Sequence, residues 1–408
     1  MEKYKILFVV PQMDFSDESR TFLSLVRAID YSRYDADVLI AEKGGALENE
    51  LPEKIRIIES PGYGEFFASG YSAVMKAAMR DFGKKSPASF FRTLRGLARS
   101  KKDKYFLRFP DLRFLSGYLK YVPEFDASGY DAVFSCFGHL SDFYTAYRVR
   151  SDNKILWLRY ERPVRDFDAQ TVRECRGRFK RIIAPSESIF RDFSSSCPEL
   201  SDRLCMFPYP FDPQRVRDLA LLGPEFKDGF FSGRRILSCG RLDFYKGFDQ
   251  VIPAVRKLTD DDYTFRWYII GNGDEKDKLI SSIMEIGVPH MIFFIDGTQN
   301  IYSYIRDCDI VVVPSRYDGV PEIIKEAKAL FKPVISTDFV SAGELLGDGE
   351  LGMICKNSAQ DIYSSVRRLI DEYETCDRYT EKLSEKMYET SPSGDIIAEA
   401  AGLNTADA

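Results

Sequence analysis

Short apolar runs alternate with amphipathic segments along the first half of the chain. The runs predict strands at Lys5–Val10, Ala36–Ala41, Ile55–Glu59, Ala132–Cys136, Ile155–Leu158 and Arg181–Ala184. Between them, helical periodicity of the apolar positions predicts helices such as Thr21–Ile29 and Ser188–Phe193. Strand and helix in alternation indicate a parallel sheet with helices on both faces.

The same alternation restarts in the second half of the chain. Its predicted strands are Arg235–Cys239, Arg266–Ile270, Ile292–Ile295, Asp309–Val313, Pro333–Ser336 and Gly352–Cys355. Its predicted helices are Phe248–Leu258, Glu275–Ile286, Ile301–Cys308, Pro321–Leu330 and Ala359–Tyr373. We therefore predict an α/β protein with two doubly wound, Rossmann-like domains that face each other across a cleft. Ligands of such sheets bind at the carboxyl ends of the strands, so the loops after the strands are the places to look for chemistry.

Prolines and a change of rhythm set the expected domain boundaries. Pro208, Pro210 and Pro213 stiffen the chain between the two halves. We predict an amino-terminal domain at 1–208, a carboxyl-terminal domain at 209–385, and a tail at 386–408 that can pack back on the first domain. Residues 62–125 interrupt the alternation and are predicted to form an insert in the first domain.

Composition narrows the class of protein. The 408 residues are 44% hydrophobic and 29% charged, which is ordinary for a globular enzyme with a full core. A net charge of −6 argues against general nucleic-acid binding, which usually needs a basic surface. None of the eight cysteines has the spacing of a zinc ribbon or redox motif, so we expect reduced thiols in a cytoplasmic protein. We expect no secretory leader and no membrane-spanning segment.

The segment Lys84–Arg108 is strongly basic. It holds nine basic residues against one acidic residue, with aromatic and aliphatic side chains between them. One hypothesis is a surface helix that contacts anionic lipid at the inner face of the cell membrane. The other is an ordinary insertion helix whose charges are solvated. The sequence leaves both open.

The first predicted strand of the second half leads into Gly240-Arg241-Leu242-Asp243-Phe244-Tyr245-Lys246-Gly247. Two glycines bracket a tight loop, and Arg241 and Lys246 project from it near the start of a helix. Two cations beside a helix amino terminus suit a diphosphate. The alternative is a loop whose cations are merely solvated.

After the next strand, Gly271 and Gly273 would permit close approach of a ligand to the backbone, although an ordinary glycine-rich turn has the same pattern.

The strand Asp309–Val313 leads into a loop and helix with two carboxylates. Pro321 is predicted as the first residue of the helix. Asp318 then lies just before the helix, and Glu326 lies about one and a half turns inside it. Both can face the cleft and accept hydrogen bonds from hydroxyl groups of a sugar and a ribose. The alternative is helix-capping acid placement with a solvated Glu326.

These motifs, in this order, resemble those of family 4 glycosyltransferases, which have the GT-B fold. The resemblance covers Arg235 to Leu369 and is carried by GRLDFYKGFDQVIPAVRKL, WYIIGNGDEKDKL, FIDGTQNIYSYIRDCDIVVVPSRYDGVPEIIKEA and LFKPVIST. It implies a metal-independent enzyme that uses a nucleoside diphosphate sugar and retains anomeric configuration. Arg241 and Lys246 would hold the diphosphate, Glu326 the ribose, and Asp318 the donor sugar.

From these motifs and the resemblance we assign a set of site residues. The catalytic contacts are Arg241, Lys246, Asp318 and Glu326. The donor-binding positions are Gly240, Gly271, Gly273, Asp318, Gly319, Val320, Pro321 and Glu326. Family members usually have glutamate where this chain has Asp318, whose side chain is shorter by about 1.5 Å.

The amino-terminal half resembles family members that build surface polysaccharides, over PQMDFSDESRTFLSLVRAIDYSRYDADVLIA. Those proteins commonly carry a glycine pair where this chain has Met13 to Asp17. They often have a histidine where Leu158-Arg159-Tyr160-Glu161 stands here. The candidate residues on the acceptor side are therefore Asp14, His139 and Arg159.

The predicted function is transfer of a sugar from a nucleoside diphosphate sugar, with UDP favoured, to a hydroxyl of a glycan or lipid-linked glycan. No further cofactor, metal or nucleic acid is expected. Two alternatives remain from other classes: a sugar-nucleotide epimerase on the same fold, and a non-catalytic partner subunit that has lost donor chemistry.

Overall fold

The computed structural model describes residues 3–60, 63–64, 119, 122–158, 166–223, 226–298, 300–385 and 395–403. Most of the predicted insert, including Lys84–Arg108, lies outside these residues, and so does Arg159. Within them, two parallel sheets follow each other along the chain.

The first sheet has the strand order β3-β2-β1-β5-β7-β8-β9. Its strands are β1 (Tyr4–Gln12), β2 (Tyr34–Glu42), β3 (Arg56–Ile58), β5 (Ala132–Cys136), β7 (Lys154–Trp157), β8 (Arg181–Ala184) and β9 (Leu204–Met206). Between them, β4 (Phe125–Asp126) and β6 (Val149–Arg150) form a separate parallel pair. The edge strand β9 was not predicted, because three residues with one buried side chain give no readable alternation.

The second sheet has the strand order β12-β11-β10-β13-β14-β15. Its strands are β10 (Arg234–Cys239), β11 (Phe265–Ile270), β12 (Ile292–Ile295), β13 (Ile310–Val313), β14 (Val334–Thr337) and β15 (Met353–Cys355). Each lies within one residue of its predicted bounds at either end. The order reverses beside β10, so the loops after β10 and β13 meet at the switch point where such sheets bind ligands.

Helices connect the strands of both sheets. In the first half they are α1 (Asp17–Arg27), α2 (His139–Arg148), α3 (Asp166–Arg176), α4 (Glu187–Ser196) and α5 (Pro213–Ala220). In the second half they are α6 (Val251–Asp260), α7 (Lys276–Ile286), α8 (Tyr302–Asp307), α9 (Glu322–Ala329), α10 (Ala342–Leu346), α11 (Ala359–Asp371), α12 (Tyr373–Glu385) and α13 (Ile396–Ala401).

Helices α1, α6 and α9 begin differently from the prediction, and α4, α7 and α8 begin one residue away from it. Helix α1 begins at Asp17 rather than Thr21, because the Ser16 hydroxyl accepts the Ser19 amide hydrogen and caps the extra turn. Pro321 is not the first helical residue: its φ of −64° and ψ of 122° make it the extended residue before α9. The helix predicted from Phe248 begins with a separate 3₁₀ turn, Phe248–Gln250, before α6.

Apolar side chains cover both faces of each sheet. In β1, Ile6, Phe8 and Val10 pack on one face, whereas Leu7 and Val9 pack on the other. In the second sheet, Ile236 and Leu237 of β10 likewise point into opposite layers. Burial on two faces explains why these strands are continuous apolar runs in the sequence.

The end of the chain returns to the first sheet. Helix α13 buries Ile396 and Ile397 in the same cluster as Ile6 and Phe8. Arg181 donates to the Glu399 carbonyl at 2.8 Å, and Asn153 donates to the Ala401 carbonyl at 3.1 Å.

All eight cysteines are free thiols. Within the described residues, no helix combines the length and apolar character needed to cross a bilayer.

Candidate functional site

Two glycines bring the loops of the second sheet into close contact. A Cβ on Gly247, whose φ is +69°, would lie 2.0 Å from the Pro314 carbonyl oxygen, between the loops after β10 and β13. A Cβ on Gly271 would lie 1.9 Å from the Gly240 carbonyl oxygen, between the loops after β10 and β11. Neither position tolerates a side chain, so the three loops form one surface at the carboxyl ends of the strands.

Asp243 shapes the loop that carries the two candidate cations. Its carboxylate accepts the amide hydrogens of Tyr245 and Lys246 at 2.9 and 3.1 Å and caps the 3₁₀ turn Phe244–Lys246. It also accepts from Arg241 Nε at 3.2 Å. One carboxylate therefore orients both Arg241 and Lys246 toward the cleft.

Lys246 is buried between two carboxylates. Its Nζ lies 2.7 Å from Asp318 Oδ2 and 2.6 Å from Asp17 Oδ2, and its side chain is only 7% exposed. Asp318 belongs to the same domain, whereas Asp17 lies in the first turn of α1. The solvated alternative for Lys246 is therefore wrong.

Glu326 lies on α9 and is also buried, so the solvated alternative fails here too. Arg20 of α1 donates to both of its oxygens, from Nε at 2.8 Å and from Nη2 at 3.2 Å. Arg20 Nη2 donates to Asp17 Oδ1 at 2.7 Å as well. Burial raises the pKa of Glu326 to about 7, although Arg20 opposes that shift.

Arg241 is the more open of the two cations, with a third of its side chain exposed. Its Nη2 lies 3.0 Å from Glu18 Oε1, on the same turn of α1. A further bond joins α1 to α9, from Thr21 Oγ1 to Glu322 Oε1 at 3.0 Å. Four residues at the start of one helix, Asp17, Glu18, Arg20 and Thr21, thus close the cleft over the predicted site.

Other predicted donor positions lie in the same place. Gly319 donates its amide hydrogen to Asp318 Oδ1 at 3.0 Å, and its carbonyl accepts from Ser341. Val320 packs against the core of the first domain. The structure therefore brings Gly240, Gly271 and residues 318–321 together with the four predicted catalytic residues, and Gly273, in the loop after β11, packs against Leu242 in the loop after β10.

The acceptor-side candidates are placed less completely. Asp14 accepts from Gln12, from the Ser16 amide and from Ser19, all in the turn that leads into α1. His139 is the first residue of α2, but its side chain, like the whole of Arg159, lies outside the described residues.

A cavity of about 450 Å³ lies beside the Arg20–Glu326 pair, between α1, α5, α8 and α9. Its wall includes Tyr302, Asn300 and the cations Arg27 and Arg215. Sequence patterns did not single out any of these residues.

Among the described residues, no group of three or more His, Cys, Asp or Glu side chains has the geometry to hold a metal ion.

Comparison with known proteins identifies the second half. Residues 227–386 match the protein family described as Glycosyl transferases group 1. We call this matched region, 227–386, the group 1 domain. It supplies Arg241, Lys246, Asp318 and Glu326, and the structure places their partners Asp17, Glu18 and Arg20 in the other domain.

Two relatives each match a little under half of the chain. One is the Campylobacter jejuni enzyme N-acetylgalactosamine-N,N'-diacetylbacillosaminyl-diphospho-undecaprenol 4-alpha-N-acetylgalactosaminyltransferase, 27% identical over 189 residues, which are 46% of this chain and 48% of that protein. The other is the amylovoran biosynthesis glycosyltransferase AmsD of Erwinia amylovora, 24% identical over 173 residues, 42% of this chain and 44% of that protein. The chain thus spans about half the length of these relatives.

The fold is similar over nearly the whole length of a solved structure. Anabaena HepE, in complex with UDP and glucose, superposes with a TM-score of 0.66 at 15% identity and covers 94% of each chain. The predicted GT-B fold is confirmed: the group 1 domain is its second half, and the sheet that carries α1 is its first.

Proposed function

We propose that this protein transfers a glycosyl group from a nucleoside diphosphate sugar to a hydroxyl of a glycan or lipid-linked glycan in surface polysaccharide biosynthesis. One observation carries the proposal: Arg241, Lys246, Asp318 and Glu326 lie together at the switch point of the second sheet. The names of these two relatives support the polysaccharide context.

The two cations suit the leaving group. The barrier in glycosyl transfer is charge separation between the anomeric carbon and the departing phosphate oxygen. Lys246 is buried and fixed by its loop, and Arg241 is held by Asp243 on the same turn. Preorganised cations in a site closed to water stabilise developing negative charge far better than solvated ones. They would therefore hold the diphosphate without a metal ion.

The two carboxylates suit hydroxyl groups of the donor. Glu326 presents both oxygens to a guanidinium at 2.8 and 3.2 Å, a spacing that also suits the paired hydroxyls of a ribose. Asp318 pairs with Lys246, beside the proposed diphosphate position, and would accept a hydrogen bond from a hydroxyl of the donor sugar. Because Asp318 is shorter than the glutamate usual in the resembling family, the sugar it accepts is expected to sit closer to this loop.

The proposed reaction keeps atoms and protons in balance. The bond between the anomeric carbon and the phosphate oxygen breaks, and a bond from that carbon to the acceptor oxygen forms on the same face. The acceptor hydroxyl gives its proton to the departing phosphate oxygen, so the products are the glycoside and the nucleoside diphosphate. Configuration at the anomeric carbon is retained.

UDP is the favoured nucleotide, because Anabaena HepE has been solved with UDP and shares this fold. A thermal-shift panel with UDP, GDP and ADP tests donor-class binding. A ligand at one hundred times its dissociation constant stabilises the native state by about 2.7 kcal/mol, a readily measured rise in melting temperature. Absence of a shift with all three nucleotides would contradict the proposal.

The basic segment 84–108 supports a cytoplasmic protein that contacts the inner face of the cell membrane. Near an anionic surface each basic residue contributes about 1 kcal/mol at low salt. Co-sedimentation with anionic but not neutral liposomes, weakened by high salt, is the expected result. Equal and negligible binding to both vesicle types would leave the segment as ordinary structure.

A second candidate function is a non-catalytic partner subunit. It is favoured by the carboxylates of Asp17 and Glu18, which neutralise the two donor cations. An assay of nucleoside diphosphate release from sugar donors distinguishes the two candidates. A non-catalytic partner subunit would bind the nucleotide but would not cleave any nucleoside diphosphate sugar.

A further inference from the structure

The first turn of α1 contacts all three charged groups that would hold the donor nucleotide. Asp17 pairs with Lys246 at 2.6 Å, Glu18 pairs with Arg241 at 3.0 Å, and Arg20 pairs with Glu326 at 2.8 Å. The partners are separated by 223 to 306 positions in the sequence, so the contacts are made only by closing one domain on the other.

Each contact takes the place of a contact that the proposed ligand would make. Asp17 and Glu18 place two carboxylates on the two cations assigned to the diphosphate. Arg20 places a hydrogen-bond donor on each oxygen of Glu326, where the ribose hydroxyls would donate. The turn thus presents its groups in the same arrangement as a nucleoside diphosphate. A hydrogen-bond donor lies on Glu326, as the ribose would, and anionic groups lie on Lys246 and Arg241, as the diphosphate would.

A diphosphate would compete with this turn for the same cations. Lys246 Nζ already lies within 2.7 Å of two carboxylates, and a phosphate oxygen needs the same distance. Within the described part of the cleft, the ion-pair cluster joins three cations (Arg20, Arg241 and Lys246) to five carboxylates (Asp17, Glu18, Asp243, Asp318 and Glu326). A further dianion in this acid-rich, buried cluster would meet strong repulsion.

We propose that the acidic first turn of α1 is an internal competitor of the donor, which holds the empty cleft closed and must withdraw before a nucleoside diphosphate sugar can bind. The inference rests on the proposed function of the same site. Because Asp17, Glu18 and Arg20 share one helical turn, displacement of the carboxylates also removes Arg20 from Glu326. Withdrawal of the turn therefore opens the cleft and frees the proposed ribose contact in one movement.

The proposal gives a function to the residues that stand where the resembling family has a glycine pair. Where family members commonly carry a glycine pair before this helix, the present chain carries Met13 to Asp17 and continues with Glu18. Glycines would leave the diphosphate position open, whereas these carboxylates fill it. Donor affinity is consequently set by the acidic turn as well as by the group 1 domain.

The test compares nucleotide affinity in matched charge variants. Asp17→Asn/Glu18→Gln removes the competing carboxylates, and Asp30→Asn/Asp35→Asn removes two exposed carboxylates of the same domain as a control. By calorimetry with UDP, GDP and ADP, the first variant should bind the preferred nucleotide at least tenfold more tightly than the unmodified protein. The control should bind as the unmodified protein does.

A single variant and a scattering measurement keep the proposal testable if the double variant does not fold. Glu18→Gln alone leaves Arg241 paired with Asp243, so it should fold even if the double variant does not, and it should bind several-fold more tightly. Small-angle X-ray scattering without ligand should show a larger radius of gyration for Asp17→Asn/Glu18→Gln than for the control.

The outcomes separate the two proposals. Nucleotide binding by the unmodified protein, with equal or weaker binding by both acid variants, would overturn the competitor while the proposed function stands. An unchanged radius of gyration would overturn the claim that the turn holds the cleft closed. Absence of binding by every variant, including the folded Glu18→Gln protein, would overturn the proposed function and the competitor together.

Discussion

Removal of the Lys246 ammonium is expected to damage both nucleotide binding and turnover. Its two charge-assisted hydrogen bonds, at 2.6 and 2.7 Å, are each of a kind that contributes about 1.5–3 kcal/mol. If a phosphate oxygen takes the place of Asp17, one such bond is lost in Lys246→Ala. Since about 1.4 kcal/mol is a factor of ten, the loss corresponds to roughly 10- to 150-fold in affinity for the nucleoside diphosphate.

Turnover should fall further than affinity. The ammonium attracts the departing diphosphate more strongly as its charge grows, and removal of one such preorganised donor typically costs about 10²- to 10³-fold in rate. The assay is release of nucleoside diphosphate from the preferred sugar donor, with calorimetry for the binding arm.

The structure also dictates the design of this experiment. Lys246→Ala alone leaves Asp17 and Asp318 buried without their shared cation, and breaking a buried pair costs about 3–5 kcal/mol. Lys246→Ala/Asp17→Asn removes the cross-domain pair and is compared with Asp17→Asn alone. Lys257→Ala, an exposed lysine of the same domain, controls for net charge. Equal affinity and turnover in the folded double variant and in Asp17→Asn would refute the diphosphate role of Lys246.

Three further predictions concern other groups of the molecule. Glu326→Gln should lower affinity for a ribonucleoside diphosphate but not for its 2′,3′-dideoxy analogue, and an unchanged ratio of the two affinities would exclude the ribose role. Turnover should survive excess EDTA, whereas a loss restored by magnesium or manganese would contradict transfer without a metal. Burial raises the pKa of Asp142 to about 7 in the fold, whereas the unfolded carboxyl titrates near 4, so the unfolded state loses its proton first and stability falls as pH rises between these values. The free energy of unfolding of Asp142→Asn should therefore rise by about 2–3 kcal/mol, relative to that of the unmodified protein, as the pH goes from 5 to 8. Thermal unfolding measures this difference, and an equal pH dependence of both proteins would contradict it.

The strands of the second sheet could be predicted almost to the residue. Val311, Val312 and Val313 are buried on both faces, as is typical of parallel strands between helices, so they form an unbroken apolar run. Arg241, Lys246 and Asp318 were predictable for the same reason, because they lie in the loops that follow such runs, whereas Glu326 was predicted from its spacing along the helix and from the family resemblance.

The first turn of α1 was not recognised as part of the site. Helical periodicity of the apolar positions starts only at Thr21, and Ser16-Asp17-Glu18-Ser19-Arg20 is an ordinary capping sequence with acids near the helix start. Nothing in these residues indicates that their partners lie more than 200 positions away. The ion pairs depend on how the domains close, which local patterns do not encode.

Cavity walls were unpredictable for a similar reason. Arg27 lies on α1, Arg215 lies on α5 and Glu50 follows β2, yet Glu50 pairs with Arg27 at 2.8 Å and lies 3.8 Å from Arg215. Each residue alone is typical of a solvated helix or loop. Only the packing of three elements makes them neighbours.

The central claim is transfer of a sugar from a nucleoside diphosphate donor at this cleft. The most direct measurement is nucleoside diphosphate release from a panel of UDP, GDP and ADP sugars, with and without glycan acceptors, for the unmodified protein and for Lys246→Ala/Asp17→Asn. We expect one class of donor to release its nucleotide well above the spontaneous rate in the unmodified protein, and this release to fall about 10²-fold or more in the variant. Release no faster than the spontaneous rate with every donor, from folded protein that binds the free nucleotide, would contradict the account.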